Sequence, residues 1–141
     1  MADDGSDFAR SMSIATSGLR AQAGRLRVIS ENIANAESTA PTAGGNPYRR
    51  KVPTFSSALD RTLDARVVTL GKIRTDQSEF RIKHEPSNPA ADAAGNVKYP
   101  NVNPLVEMTD MREAQRSYEA NLNIISATRR MIQRTLDILK A

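Results

Sequence analysis

The sequence predicts a mainly α protein in which two long terminal helices form a coiled-coil-like pair, with a small β-containing inserted region and an extended linker between them. Three observations predict it. The run from Glu107 to Lys140 contains no Gly and no Pro, the strongest helix breakers. Apolar residues near both ends recur at spacings of three and four, the period of a helix packed along a seam. The stretch between them is broken by prolines at 86, 89, 100 and 104 and by Gly44-Gly45.

In the C-terminal helix the seam runs Met108, Met111, Gln115, Tyr118, Leu122, Ile125, Arg129, Ile132, Leu136 and Leu139. A second, more polar seam lies about 100° round the axis: Ser117, Asn121, Ile124, Thr128, Met131, Thr135 and Ile138. Charge follows the helix dipole, with Glu107, Asp110, Glu113 and Glu119 early and Arg129, Arg130, Arg134 and Lys140 late. At ~1.5 Å per residue the helix is roughly 50 Å long. Two adjacent seams suit a helix with several helical neighbours. Gln115, Asn121 and Arg129, polar groups in or beside the seams, are expected to fix register.

Met1 to Gly5 read as a frayed leader, and Ser6 or Asp7 as the cap of a helix running to about Asn35. Its seam is Phe8, Met12, Ala15, Leu19, Gln22, Leu26, Ile29 and Ile33, with Ile14, Gly18, Ala21 and Val28 on a neighbouring face. Gly18 and Gly24 each cost roughly 1 kcal/mol against Ala in a helix interior, so packing rather than propensity must hold this helix.

Glu37 to Pro47 is a loop by composition, closed by Tyr48 and the basic run Arg49-Arg50-Lys51. Phe55 to Leu63 is expected to hold a short helix. Arg66–Arg74 and Glu79–Lys83 are expected to pair as a hairpin turning at Thr75–Ser78. From His84 to Pro104 the prolines leave no room for a regular element of any length, and Pro104 marks the upstream boundary of the last helix. Residues 1–36 and 105–141 thus make one discontinuous helical core domain, and 37–104 the loop, small β region and Pro-rich linker.

The 141 residues suffice for one domain, and a content of 39% hydrophobic and 4% aromatic residues is thin for a self-contained globule. A lone antiparallel helix pair buries one seam on each helix and leaves the second exposed, so self-assembly is the physical expectation. The formal charge of +4 is scattered along the elements and reads as a solvated surface. With no cysteine and one histidine, His84, the chain holds neither a disulfide framework nor a zinc constellation. No Gly-x-Ser-x-Gly elbow presents a serine, and Gly44-Gly45 lacks the Lys-Ser/Thr of a phosphate cradle. No catalytic residue, metal site or cofactor is therefore expected. No run approaches the ~18 apolar residues of a membrane span, and the acidic N-terminus has no apolar core of a cleaved signal.

Both ends resemble the bacterial flagellar axial family, whose members build rod, hook and hook–filament junction. The N-terminal match is Ser17-Gly18-Leu19-Arg20-Ala21-Gln22, then Arg25-Leu26-Arg27-Val28, then Glu31-Asn32-Ile33-Ala34-Asn35-Ala36. Ser17, Gly18, Leu19, Asn32, Ile33, Ala34, Asn35 and Ala36 carry the family motif, a helix ending in an Asn-Ile-Ala-Asn-Ala turn. Pro47–Lys51, Pro100–Asn103 and Glu107–Asn121 are similar to the proximal-rod branch of that family. The resemblance implies a structural subunit whose helices pack with those of neighbours into a tube around an export channel. It also implies unfolded export by the flagellar type III apparatus without a cleaved signal, and assembly in the periplasm.

The partners so implied are copies of itself, the rod proteins FlgB, FlgF and FlgG, and FliE. The seam residues expected to meet other subunits are Phe8, Met12, Leu19, Leu26, Ile29, Ile33, Met108, Met111, Tyr118, Leu122, Ile125, Ile132, Leu136 and Leu139. Pro47, Tyr48, Arg49 and Arg50 are expected to dock a loop on a neighbour, against acidic helix faces such as Glu107-Asp110-Glu113. Asn32 and Asn35 are expected to close the first helix by capping. The residues alone leave another class open, a soluble coiled-coil adaptor whose basic Tyr48–Lys51 patch binds nucleic acid weakly.

Overall fold

The computed structural model describes residues 4–140, with side chains from residue 7 onward. Its elements are α1 (Asp4–Ala34), β1 (Lys51–Val52), β2 (Phe55–Asp60), β3 (Ala65–Leu70), β4 (Arg74–Thr75), β5 (Arg81–His84), β6 (Asn96–Tyr99) and α2 (Pro104–Lys140). The helical ends and small β region match the expected fold class. Helix α1 begins ahead of the cap expected at Ser6 or Asp7, while the first three residues of the expected leader lie outside the described residues.

The ends of both helices have identifiable causes. At the start of α2 the Asn103 side-chain oxygen accepts from the backbone N–H of Leu105 at 3.1 Å, and its carbonyl accepts the first helical bond from Glu107. Pro104 is the first helical residue, where its missing N–H costs nothing and its fixed φ helps. It opens the helix rather than standing before it. At the end of α1, Asn35 bonds back to Glu31 O through both its backbone N–H (3.1 Å) and its side-chain amide (2.8 Å).

The strands pair differently from the expected hairpin. Arg66–Leu70 lies in β3, which runs antiparallel to β2 from Phe55↔Leu70 to Asp60↔Ala65. The segment expected as a short helix is therefore mostly strand β2. Ser, Ala and Leu tolerate either state, and six cross-strand pairs, three of them with β-branched Val67, Val68 and Thr69, decide it. The expected partner of this strand, around Glu79–Lys83, forms β5 and pairs instead with β6, in register Arg81↔Tyr99 to His84↔Asn96. Strand β6 falls inside the stretch expected to hold no regular element; the six residues between Pro89 and Asn96 turn through Gly95 at φ +79° and leave four residues free to pair. The short pair β1–β4 matches Lys51↔Thr75 and Val52↔Arg74.

The chain divides into two compact units. The first gathers α1 up to Arg25, Thr54–Lys72 and α2 from Glu113; the second gathers Leu26–Pro53 and Ile73–Arg112. In the first unit the two helices run antiparallel, since Gly18 faces Asn121 and Arg25 meets Glu113 at 3.4 Å. Ala15, Ala21, Ala114 and Thr128 are buried there. The β2–β3 hairpin lies on α1: the Val68 N–H donates to Ser17 Oγ, Arg10 Nε donates to Leu63 O, and Leu70 packs over Gly24.

The two glycines of α1 are thus sites of close approach. A Cβ on Gly18 falls 2.9 Å from Asn121 Oδ1, and one on Gly24 falls 2.7 Å from Leu70 Cδ2. Packing explains why the helix tolerates both.

In the second unit Ala90, Val97 and Tyr99 form a buried cluster, and Val28, Ile29, Ala36 and Val102 are also buried. Arg81 on β5 ties the end of α1, donating from Nη2 to Ala36 O at 2.9 Å and from Nε to Pro100 O at 3.1 Å. Replacing Gly18 by Val is expected to lower unfolding stability by about 1–3 kcal/mol, because overpacking against Asn121 outweighs the gain in helix propensity. Urea unfolding followed by far-ultraviolet circular dichroism measures it, and a stability equal to or above that of the unaltered chain contradicts this packing.

Candidate functional site: a buried polar clamp and exposed helical flanks

Two features stand out chemically, a saturated polar clamp in the second unit and a set of uncovered apolar residues on α2.

The clamp is built on Asn32, which is 1% exposed. A primary amide has two N–H donors and an oxygen with two acceptor sites. All four are used. Nδ2 donates to Lys51 O at 2.8 Å and to Glu107 Oε2 at 3.0 Å. Oδ1 accepts from the Lys51 N–H at 2.9 Å and the Tyr48 hydroxyl at 2.8 Å. The amide thus pairs with the Lys51 backbone as a neighbouring strand would. The orientation is forced, since Lys51 N–H can only donate and its carbonyl only accept.

Glu107, likewise 1% exposed, spends its other oxygen on Arg50 Nε at 2.5 Å. Arg50 also lies 3.7 Å from Asp76 and 3.8 Å from Asp110. Burial works against the charge of Arg50, yet the hydrogen bond and charge of Glu107, with Asp76 and Asp110, outweigh it and raise its pKa. Asp76 is held below the ordinary carboxylate range, chiefly by the Ser78 backbone N–H and then the Ser78 side chain, with Arg50 adding to this against the effect of burial.

Tyr48 is pushed up to about 12 by burial first, and then by the charges of Glu31 and Glu107. Asn101 completes the frame: its oxygen accepts from the Arg50 N–H at 2.8 Å and its amide donates to Ser78 Oγ at 2.9 Å. Lys51 Nζ pairs with Glu31.

Asn32 therefore does more than the capping expected of it, while Asn35 does close the helix. Tyr48 and Arg50, expected to dock on a neighbour, direct their side chains into their own chain. The acidic partners anticipated for the basic run, Glu107 and Asp110, belong to α2 of the same molecule. Arg49 stacks over Phe80 at 4.2 Å and donates to Ser78 O, and Pro47 is half-buried. Sequence reasoning missed Asn101 and Asp76 as members of this set. Only the run Pro100–Asn103 carried a signal for the first, and nothing local marks the second.

The seam residues divide. On α1, Ile29 is buried and Phe8, Met12, Leu19, Leu26 and Ile33 are half-buried. On α2, Met111, Tyr118, Ile125 and Ile132 are half-buried, whereas Met108, Leu122, Leu136 and Leu139 are exposed. Ile124, Met131 and Ile138 are exposed as well. Of the polar seam residues, Asn121 is half-buried and its amide donates to Ser117 O, while Gln115 and Arg129 face solvent. Ser17 accepts from β3, Gly18 meets Asn121, Ala34 is the last residue of α1 and Ala36 is buried in the turn that follows.

The first unit also holds a cleft of about 420 Å³ lined by Ser17, Arg20, Asp60, Val68 and Leu70 among others, with no histidine in its wall. Among the described residues no group of three or more His, Asp or Glu is arranged to hold a metal ion, and no helix is long and apolar enough to cross a membrane.

Residues 12–40 match the sequence model "Flagella basal body rod protein", and residues 93–138 match "Flagellar basal body rod FlgEFG protein C-terminal". The two matches cover the end of α1 that carries Asn32 and the segment of α2 that carries Glu107. The fold and these matches define the class, the rod proteins of the flagellar basal body.

Individual relatives narrow it. The chain is 54% identical to the flagellar basal-body rod protein FlgC of Agrobacterium fabrum, covering 91% of this chain and 92% of the relative. It is 38% identical to FlgC of Bacillus subtilis, over 92% and 97% of the two chains, and 38% identical to FlgC of Salmonella typhimurium, over 89% and 92%. The chain belongs to the FlgC family of flagellar basal-body rod proteins, structural components of the flagellum. The adaptor alternative finds no support in these relatives.

Two outcomes test the clamp. Asn32→Asp keeps the shape but removes both Nδ2 donations and sets a second carboxylate against Glu107; a loss of about 2–4 kcal/mol in urea unfolding is expected. A loss below about 0.5 kcal/mol contradicts the clamp. The second concerns alkali. A tyrosine whose folded pKa is raised contributes stability that is complete below its unfolded value of 10.0 and is lost as pH rises through about 12. Tyr48→Phe should therefore cost about 1 kcal/mol at neutral pH, with the gap to the unaltered chain closing between pH 10 and 12. A gap that stays constant over that window contradicts the placement of the hydroxyl.

Proposed function

We propose that this chain is a self-assembling subunit of the proximal part of the flagellar rod, a shaft that surrounds the export channel and transmits torque. It acts by packing, not by catalysis. The observation that carries the reading is the set of apolar residues its own fold leaves open on α2: Leu122, Ile124, Met131, Leu136, Ile138 and Leu139 are each 47–77% exposed. At ~25 cal/mol per Å² of apolar surface removed from water, covering such a face with further helices is strongly favourable. Exposed large apolar residues gathered on one helix mark interaction surfaces.

In this reading residues 1–36 and 105–141 act as one helical core, and the seam residues from Phe8 to Ile33 and from Met108 to Leu139 divide their contacts between the chain's own partner helix and its neighbours. Those neighbours are copies of the chain, the rod proteins FlgB, FlgF and FlgG, and FliE at the base. The chain is exported unfolded by the flagellar type III apparatus without a cleaved signal, and it folds and assembles in the periplasm. The clamp suits that route. Its members are scattered from Glu31 to Asp110, so it forms only when the end of α1 meets the start of α2. Many interdigitated contacts distribute torsional load, and Asn121 against Gly18 opposes sliding of α1 along α2.

Deleting the gene in the host should arrest basal bodies before the rod extends, and complementation should restore swimming. Replacing Leu122 and Leu136 together by Glu should leave urea stability within about 0.5 kcal/mol, as surface substitutions do, while abolishing incorporation into basal bodies. Full-length rods in the deletion strain, seen by electron microscopy of purified basal bodies, contradict the proposal.

A further inference from the structure

On the exposed flanks of α2, Glu119 stands on one and Arg134 on the other at a different height, with Arg129 further along the Glu119 flank. On one flank Gln115, Glu119 and Leu122 are open to solvent; on the other, Met131, Arg134 and Ile138. The flanks lie on either side of the line Ala114–Asn121–Thr128 that the first unit buries or half-buries. Neither Glu119 nor Arg134 has an ion-pair partner among the described residues.

Like-oriented copies in an assembly meet through two different patches, one from each subunit. When the helices are parallel, the line Met131–Ile138 of one copy meets the line Gln115–Leu122 of the next. Seven-residue recurrence then restricts the displacement to about −5, 2, 9, 16 or 23 residues within the overlap of the 37-residue helices. At about −5 Arg134 comes beside Lys140, and at about 23 beside Arg112. At about 2, Met131 lands on Arg129, and Arg134 lies within a turn of that like charge. At about 9, Met131 lands on Leu122, but Ile138 lands on Arg129 and Arg134 lies about a turn from that like charge. At about 16, Ile138 lands on Leu122, Met131 covers Gln115, and Arg134 comes beside Glu119.

We propose that a second copy of this chain docks on α2 with its own α2 parallel and displaced by about 16 residues, ~24 Å along the axis, so that Met131 and Ile138 of one copy cover Gln115 and Leu122 of the next and Arg134 pairs with Glu119. The inference rests on the rod-subunit reading and names the contact by which the subunit repeats. The pairing supplies what an apolar face alone lacks, a preferred height. The exposed leucine and isoleucine supply the attraction, and the charges reject the competing displacements.

The absence of cysteine makes the contact addressable by cross-linking. In a deletion strain, Glu119→Arg and Arg134→Glu alone should each reduce swimming-zone diameter at least fivefold. The double reversal should restore it to within twofold. Co-expressed copies carrying Leu122→Cys and Ile138→Cys should give a dimer with a short bismaleimide in purified basal bodies. Copies carrying Leu136→Cys and Ile138→Cys, neighbours only at the displacement of about 2, should give at least fivefold less.

A double reversal no better than either single change overturns the inference, as does equal cross-linking of both pairs or cross-linking to a different protein alone. Those failures leave the rod-subunit reading standing. That reading fails separately if the unaltered chain is missing from purified basal bodies.

Discussion

The hydrogen bond from Asn32 to Glu107 joins residues 75 apart in sequence, and the second unit depends on it. Both groups are almost wholly removed from water, so each must have its hydrogen-bonding capacity met or the unit is destabilised by several kcal/mol. The arrangement meets the demand by convergence. The last helical residues of α1, the first turn of α2, the strand edge at Lys51 and the loop side chains of Tyr48 and Arg50 all bring their polar atoms to one point. A buried polar network of this kind tolerates few alternatives, since a half-satisfied version is worse than an apolar core. It therefore specifies how the end of α1 and the start of α2 pair within the second unit, where a purely apolar seam permits slippage by a heptad.

This division of labour explains why the helical seams are not wholly consumed within one molecule. In the first unit α1 is offered small or partly apolar groups by α2: Ala114 and Thr128 are buried, and Asn121 meets Gly18. Small residues allow close approach of the backbones but bury little area. The larger side chains, Leu122, Ile124, Met131 and Leu136, stand on the flanks, about half exposed. A helix that leaves these large side chains open is fitted for neighbours beyond its own chain.

How much of this was legible in the sequence follows from which interactions are local. The helices were readable because Gly- and Pro-free heptads report their own periodicity, and the polar residues Asn103 and Asn35 mark ends by bonding within four residues. The strands were not. Phe55–Asp60 has no strong preference of its own and becomes a strand through pairing with Ala65–Leu70, a tertiary choice that local propensity does not report. Asn96–Tyr99 was hidden by the turn residues around it, which here shape the connection to β5 rather than forbid a strand. The clamp was half legible. Asn32, Tyr48, Arg50 and Glu107 each stood in a recognisable run, but nothing in one dimension says that the basic run and the acidic helix start meet inside one chain. The loop Pro47–Arg50 was expected to dock on a neighbouring subunit and Asn32 to cap its helix, and the geometry binds Tyr48 and Arg50 to Asn32 and Glu107 of their own chain.

The central claim is that the outer side chains of α2 are exposed in the single chain and covered in the assembly. Hydroxyl-radical footprinting reads this at Met108 and Met131, both 49% exposed, against Met111, which is half-buried on the same helix. Between the free chain and intact basal bodies, oxidation of Met131 is expected to fall at least fivefold while that of Met111 changes little. Equal oxidation of Met131 in both forms would contradict it.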